Sequence, residues 1–203
     1  GKAFRNEISP RQGFFRLREF TQAELQIFFD PDKINETSDW NKIKNYKILT
    51  FLVKDHKSQK IKERSCNELY EKEKIPKFYI SNLAKIQKFY LDILKIPKEK
   101  FRFRELNEKE RAFYNKIHYD IEIYLETLNG WKEVGGEHFR GEHDLGGHQR
   151  GSKTKLEVSI DNKKFIPNVL ELSFGVDRNI FALLDIFYKK EKERNLFKFP
   201  AYL

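Results

Sequence analysis

Arg5 and Glu7 stand two residues apart. On an extended strand their side chains leave the same face. A guanidinium there can fork onto a phosphate, and a carboxylate can accept a hydrogen bond from a base or an amine. Arg16, Phe20 and Glu24 share one parity of a second segment that can pair back on the first. Together they offer a phosphate contact, an aromatic shelf and a carboxylate. The same spacing also suits a surface ladder of cross-strand charge pairs, and spacing alone leaves both readings open. Farther along, Glu171 and Ser173 share a strand face. His138, His143 and His148 recur at equal intervals. That interval gathers them on neither a helix nor a strand, so a zinc site would need a loop to bring them together.

Such residues need elements to hold them. Residues 4–7 read as a short strand, followed by a loop over 8–15 that contains Pro10 and Gly13. From Arg16 to Phe28 the pattern alternates, with Leu17, Thr21, Ala23, Leu25 and Ile27 on a packed face. The two segments predict an antiparallel hairpin, ended by Asp30-Pro31-Asp32. Residues 32–74 are polar and lysine-rich, with a strand expected over 46–53 and a short helix or loop over 65–73. A helix is expected over 79–94, stopped by Pro97. Strands are expected at 101–104, at 119–125 and, after the Asn129-Gly130 turn, from Trp131 onward into a stretch dense in Gly and His. Residues 161–164 read as a hairpin turn and 168–174 as a strand. A helix is expected from Ile180 to about Arg194. The sum is an α+β fold, mostly antiparallel sheet flanked by helices.

Composition narrows the function classes. Apolar residues make up 39% of the 203 and charged residues 35%, a globular balance. No apolar run approaches membrane-spanning length, so no membrane partner is expected. The single cysteine, Cys66, excludes an intrachain disulfide and a thiolate metal cluster. It suits a reducing, cytoplasmic setting. The net charge of +9 attracts polyanions, though a lysine-rich solvated surface gives the same number. The start at Gly1 and the absence of Met point to a processed, partial or incompletely represented sequence.

Longer motifs go further. Residues 4–13, Phe-Arg-Asn-Glu-Ile-Ser-Pro-Arg-Gln-Gly, with 18–24, Arg-Glu-Phe-Thr-Gln-Ala-Glu, resemble the second signature motif of class II aminoacyl-tRNA synthetases. The wording is that of the archaeal and eukaryotic-like glycyl-tRNA synthetases. Residues 167–178, Pro-Asn-Val-Leu-Glu-Leu-Ser-Phe-Gly-Val-Asp-Arg, resemble the third signature motif. Between them, residues 101–104 and 130–134, with Arg140, Asp144 and Leu145, resemble further glycyl-enzyme segments.

The resemblance implies a class II catalytic fold that activates glycine with ATP and Mg²⁺ and transfers it to tRNA(Gly). It implies an ATP set of Arg5, Glu7, Arg16, Phe20, Glu133 and Arg178. Arg5 would hold the α-phosphate and Arg16 the outer phosphates. Phe20 would stack on adenine, and Arg178 would clamp the nucleotide from the other side. Arg5 and Arg178 would be the catalytic pair, and Glu133 would lie near the magnesium ion. Glu24, Glu171 and Ser173 would hold the glycine ammonium group. Glu7, Arg11 and Arg140 would lie near the acceptor end of the tRNA.

Departures accompany the match. Glu105-Leu106 and 111–114, Arg-Ala-Phe-Tyr, replace the family's usual Gln-His and Met-Ala-His-Tyr runs, and Leu172 stands where a proline is usual. Glu137, His138 and His143 are also unusual for the family, and 153–165 is shorter than its large insertion. The implied organisation is a partial catalytic domain over 1–203, with a lysine-rich insertion around 32–100. The dimerisation motif and the anticodon-binding domain are expected to lie outside it. A homodimer, or an assembly with a chain supplying those parts, is therefore expected. The other reading is a synthetase-like accessory subunit that binds nucleic acid without catalysis.

Overall fold

The computed structural model describes residues 1–10 and 12–203. In chain order the strands are β1 (Lys2–Phe4), β2 (Glu19–Phe29), β3 (Lys47–Phe51), β4 (Lys62–Ser65), β5 (Phe101–Glu105), β6 (Ile117–Leu125), β7 (Gly130–Gly141), β8 (Val158–Ile160), β9 (Lys163–Phe165), β10 (Asn168–Gly175), β11 (Tyr188–Lys190) and β12 (Asn195–Phe197). The helices are α1 (Trp40–Ile43), α2 (Cys66–Glu71), α3 (Lys77–Lys88), α4 (His143–Ser152) and α5 (Val176–Phe187). Among the described residues one sheet runs β1-β2-β10-β7-β6-β5-β3-β4. Every neighbouring pair in it is antiparallel except β3 and β5. The fold is therefore mostly antiparallel sheet with flanking helices, the α+β arrangement expected from the sequence.

Side-chain alternation gives the sheet two unlike faces. One carries Phe101, Phe103, Tyr119, Ile121, Ile123, Leu170 and Leu172, all buried. These pack in one core with Tyr79, Ile80 and Leu83 of α3 and with Ala182 and Ile186 of α5. The Tyr90 hydroxyl donates to Asn179 Oδ1 at 2.7 Å and ties the end of the α3 segment to α5. The other face carries Gln22, Glu24, Glu171, Ser173, Gly136, His138 and His118, and it lines open clefts. Helix α2 starts at a reciprocal cap: Ser65 Oγ accepts from Glu68 N at 3.1 Å, and Ser65 N donates to Glu68 Oε2 at 2.9 Å.

Several boundaries differ from the sequence expectations. The first strand ends at Phe4. Arg5 N still donates to Arg18 O at 2.9 Å, but Glu7 N then turns back to Arg5 O at 2.9 Å. Arg5 and Glu7 thus converge through a turn, without a shared strand face. Strand β2 starts at Glu19, because 13–15 form a 3-10 turn in which Gly13 takes φ 52°, open to glycine without strain. Its expected packed face is only partly covered: Leu25 is 53% exposed, while Ile27 packs on the core. The stretch dense in Gly and His is half strand, continuing β7, and half helix α4. The helix expected over 79–94 is regular only to Lys88 and finishes in a π turn, in which Leu94 N reaches Phe89 O. Helix α5 starts at Val176 and stops at Phe187. Beyond it Tyr188 pairs with Phe197 across a hairpin, ring centroids 5.9 Å apart, and this aromatic contact outweighs the helix-forming Lys-Glu run.

Candidate functional site

The polar face of β2, β10 and β7 forms the floor of a cleft that widens at both ends. One end, about 300 Å³, is lined by Arg5, Glu7, Arg16, Phe20, Glu133 and Arg178, among others. The adjoining end is lined by Arg5, Glu24, Glu133, Arg140, Glu171 and Ser173 together with two histidines. Arg5 and Glu133 border both ends. The residues expected to bind ATP, glycine and the tRNA acceptor end therefore gather in one place except Arg11, which lies outside the described residues.

At the first end the guanidinium of Arg5 sits over the Phe20 ring, 5.1 Å from its centroid. Arg16 Nη1 lies 3.6 Å from Glu7 Oε1. Arg18 Nε donates to the Glu7 carbonyl at 3.1 Å, which holds the turn between β1 and β2. Opposite, Arg178 is fixed by its own element and two others. It donates from Nη1 to Glu133 O at 3.0 Å and from Nη2 to Phe15 O at 2.8 Å, and its Nη1 is 3.3 Å from Glu133 Oε1. Asp177, one residue earlier, accepts from Thr21 N at 2.6 Å and locks the start of α5 to β2. The Glu133 side chain pairs with an arginine but stays half exposed.

At the second end the register sets the rows. Glu24 pairs with Ser173, and Ser173 with Gly136; Gln26 pairs with Glu171, and Glu171 with His138. Gln22 Nε2 donates to Ser173 Oγ at 2.6 Å. Arg140 Nη1 donates to Glu171 Oε2 at 2.8 Å and grips Asp144 with Nε and Nη2 at 2.6 and 3.0 Å. Arg140 also lies over the Tyr114 ring at 4.6 Å. Burial raises the Glu171 carboxyl above its ordinary range, and the Glu24 carboxylate adds to this while Arg140 opposes it. Two carboxylates facing one pocket are suited to a cation. Close approach of β7 to β10 requires Gly135: a Cβ there would meet Ser173 O at 2.5 Å.

Among the described residues no three His, Cys, Asp or Glu side chains are placed to hold a metal ion. His143 stacks on Tyr114 at 5.7 Å, while His138 lies on β7 beside His118. The zinc reading has no structural support. Sequence reasoning overlooked Gln22 as a partner of Ser173, and His118 and Asn115 as cleft residues. The period-two pattern of 117–125 carries the signal for His118, which shares a parity with Asp120 and Glu122.

No protein-family model matches the chain. Curated relatives do. The glycine–tRNA ligase of Thermococcus kodakarensis is 40% identical over 186 residues, covering 88% of this chain and 31% of the relative. That of Pyrococcus abyssi is 40% identical over 170 residues, covering 81% and 28%. That of Methanocaldococcus jannaschii is 33% identical over 211 residues, covering 95% and 36%.

The chain belongs to the glycyl-tRNA synthetase family.

It spans about a third of the length of these synthetases. In this family member the cleft is built where the strand that follows the first turn, β2, meets the strand that precedes α5, β10. These are the two segments whose wording resembles the second and third signature motifs. No helix among the described residues is long and apolar enough to cross a membrane.

Proposed function

We propose that the cleft binds ATP and glycine together and forms glycyl-adenylate. The observation that supports this most is the continuity of its two ends, one rich in arginine and aromatic surface, the other in carboxylate, with Arg5 on the border. An aromatic face beside a guanidinium suits a nucleotide: Phe20 takes the adenine and Arg5 the α-phosphate. Arg16 and Arg178 take the outer phosphates, and Glu7 lies by the base. Glu24, Glu171 and Ser173 take the glycine ammonium.

A carboxylate oxygen of glycine then attacks the α-phosphorus, and the bond to the bridging oxygen of pyrophosphate breaks. Arg5 offsets the charge that builds on the α-phosphoryl oxygens, and Arg178 that on the leaving group. Because Glu133 and Phe15 carbonyls fix Arg178 beforehand, the guanidinium need not reorganise as charge moves. Glu133 is the residue nearest to serving Mg²⁺. One half-exposed carboxylate fits an ion held mainly by phosphate oxygens. When bound, that ion would neutralise phosphate charge.

We further propose that the adenylate passes glycine to tRNA(Gly), with Glu7, Arg11 and Arg140 toward the acceptor end. The reading places this in the cytoplasm and in a larger enzyme, either a homodimer or an assembly with another chain. Residues 1–203 are read as part of a class II catalytic domain, with 32–100 as a family-specific insertion. The test is glycine-dependent ATP–pyrophosphate exchange, by the chain alone and then with any copurifying polypeptide. Exchange that requires glycine supports the reading. Its absence from the complete assembly overturns it in favour of a non-catalytic nucleic-acid-binding subunit.

A further inference from the structure

Two imidazoles on the cleft floor have no role in the chemistry above. His118 and His138 are cross-strand partners on β6 and β7, with ring centroids 4.1 Å apart. Both line the carboxylate end of the cleft with Glu24, Glu171 and Ser173.

Their orientation follows from a short chain of contacts. His118 Nε2 lies 3.0 Å from Asp120 Oδ1. A carboxylate accepts, so the proton of a neutral His118 sits on Nε2 and its Nδ1 is an acceptor. The Nδ2 amide of buried Asn115 lies 3.4 Å from that Nδ1 and 3.4 Å from Nδ1 of His138. The amide has two hydrogens, one for each ring. His138 therefore also keeps its proton on Nε2. Burial first, then a charge on His118 when it is protonated and the charge of Arg140, hold His138 far below its ordinary value, at about 3, so the ring is neutral.

The Nε2 edge of His138 does not stay in its own row. A Cβ built on Gly136 would meet His138 Nε2 at 2.8 Å and His138 Cε1 at 3.1 Å. The ring thus leans over Gly136, into the row that carries Ser173 and Glu24. The space a side chain at 136 would fill is taken by imidazole from 138. It adjoins the groups read above as ammonium ligands.

We propose that His138 is a specificity-determining residue, whose imidazole closes the amino-acid pocket over Gly136 and excludes any α-amino acid with a side chain. The inference rests on the reading that Glu24, Glu171 and Ser173 hold the substrate ammonium. Asn115 and His118 are positioning residues that keep the ring in place. A neutral ring serves this better than a charged one, because it closes the pocket without repelling the ammonium.

The test compares wild type and His138→Ala in the full chain by calorimetry. The probes are 5′-O-(glycylsulfamoyl)adenosine and its alanyl counterpart, both stable adenylate analogues. Wild type should prefer the glycyl probe by about 100-fold, the scale on which pockets discriminate one small group. In His138→Ala, glycyl affinity should stay within about threefold while alanyl affinity rises about 10-fold or more. His138→Gln, which keeps most of the volume, should retain the preference. His138→Ser replaces the alanine variant should that fail to fold, with the same expected result. Retained glycyl binding with an unchanged ratio overturns this inference alone. No binding of the glycyl probe by wild type overturns the proposed function and this inference with it.

Discussion

Tyr119 and Glu137 are partners across β6 and β7, and among the described residues neither the phenol hydroxyl nor either carboxylate oxygen has a hydrogen-bond partner. Both residues are fully buried on the apolar face of the sheet. The nearby Tyr79 hydroxyl donates to the Glu137 backbone carbonyl at 2.6 Å and leaves the carboxyl unserved. Burial pushes the Glu137 carboxyl well above its ordinary range, so the native state holds it protonated.

The first prediction follows from that proton. Glu137→Leu should stabilise the chain by about 1–3 kcal/mol, the usual cost of an unsatisfied buried polar group. The unfolded chain releases the proton near the ordinary carboxylate value, whereas the folded chain keeps it. Glu137 therefore contributes stability that is lost as pH rises from about 4.3 toward the raised folded value, and the variant should lack this part of the wild-type pH dependence. Urea unfolding at pH 5 and pH 8 measures both. Equal slopes in the two proteins would show that Glu137 finds a partner.

A second prediction concerns the opposite face. Arg102 is packed between Phe51 and Trp131, 4.1 and 4.3 Å from their ring centroids, and its Nε contacts Glu122 Oε2 at 2.6 Å. Arg102→Ala leaves the buried Glu122 carboxylate alone and should destabilise by about 3–5 kcal/mol. Adding Glu122→Gln should restore part of the loss. A double-mutant cycle by thermal unfolding separates the pair from the packing.

Arg5 is exposed and its guanidinium faces the cleft, so Arg5→Ala should leave the melting transition unchanged. Glycine-dependent pyrophosphate exchange by the complete assembly should fall by about 100- to 1,000-fold, the scale of one lost charge-stabilising donor. Unchanged exchange would remove Arg5 from its proposed role.

The raised Glu171 carboxyl gives a pH signature to binding. As pH falls, Glu171 takes up its proton sooner than an ordinary glutamate, and attraction for an ammonium is lost at that higher pH. Glu171→Gln should weaken the glycyl sulfamoyl probe by about 10- to 100-fold, as expected for one charged hydrogen bond, and flatten its profile below neutrality. Titration calorimetry across pH 5 to 8 reads both. A sloping profile in the variant would assign the titration to another group.

Much of this architecture was written in local patterns. The alternation of 101–104, 119–125 and 168–174, and the turns at Asn129-Gly130 and 161–164, all appear as elements of the expected kind. What local patterns hid depends on partners distant in sequence. Arg5 and Glu7 converge through a turn whose anchor is Arg18. The helix expected to run to Arg194 yields to an aromatic pairing of Tyr188 with Phe197. Glu137 reads as a surface charge by residue type, yet its parity with Phe139 places it in the core. His118, His138 and Asn115 become one cluster only through the β6–β7 register. The exposed Leu25 shows that alternation marks which residues share a face without showing what covers them.

The pairing of β2 with β10 also bears on how the site comes into being. Gln22 and Ser173 are hydrogen-bonded across 151 positions of chain, whereas β5, β6 and β7 form a meander of near neighbours. Closing the longer loop is the entropically harder and slower event. The meander can assemble while the cleft does not yet exist. Ligand capture during refolding should then lag the recovery of β-structure, and the interval between the two signals would time the arrival of β2 on β10.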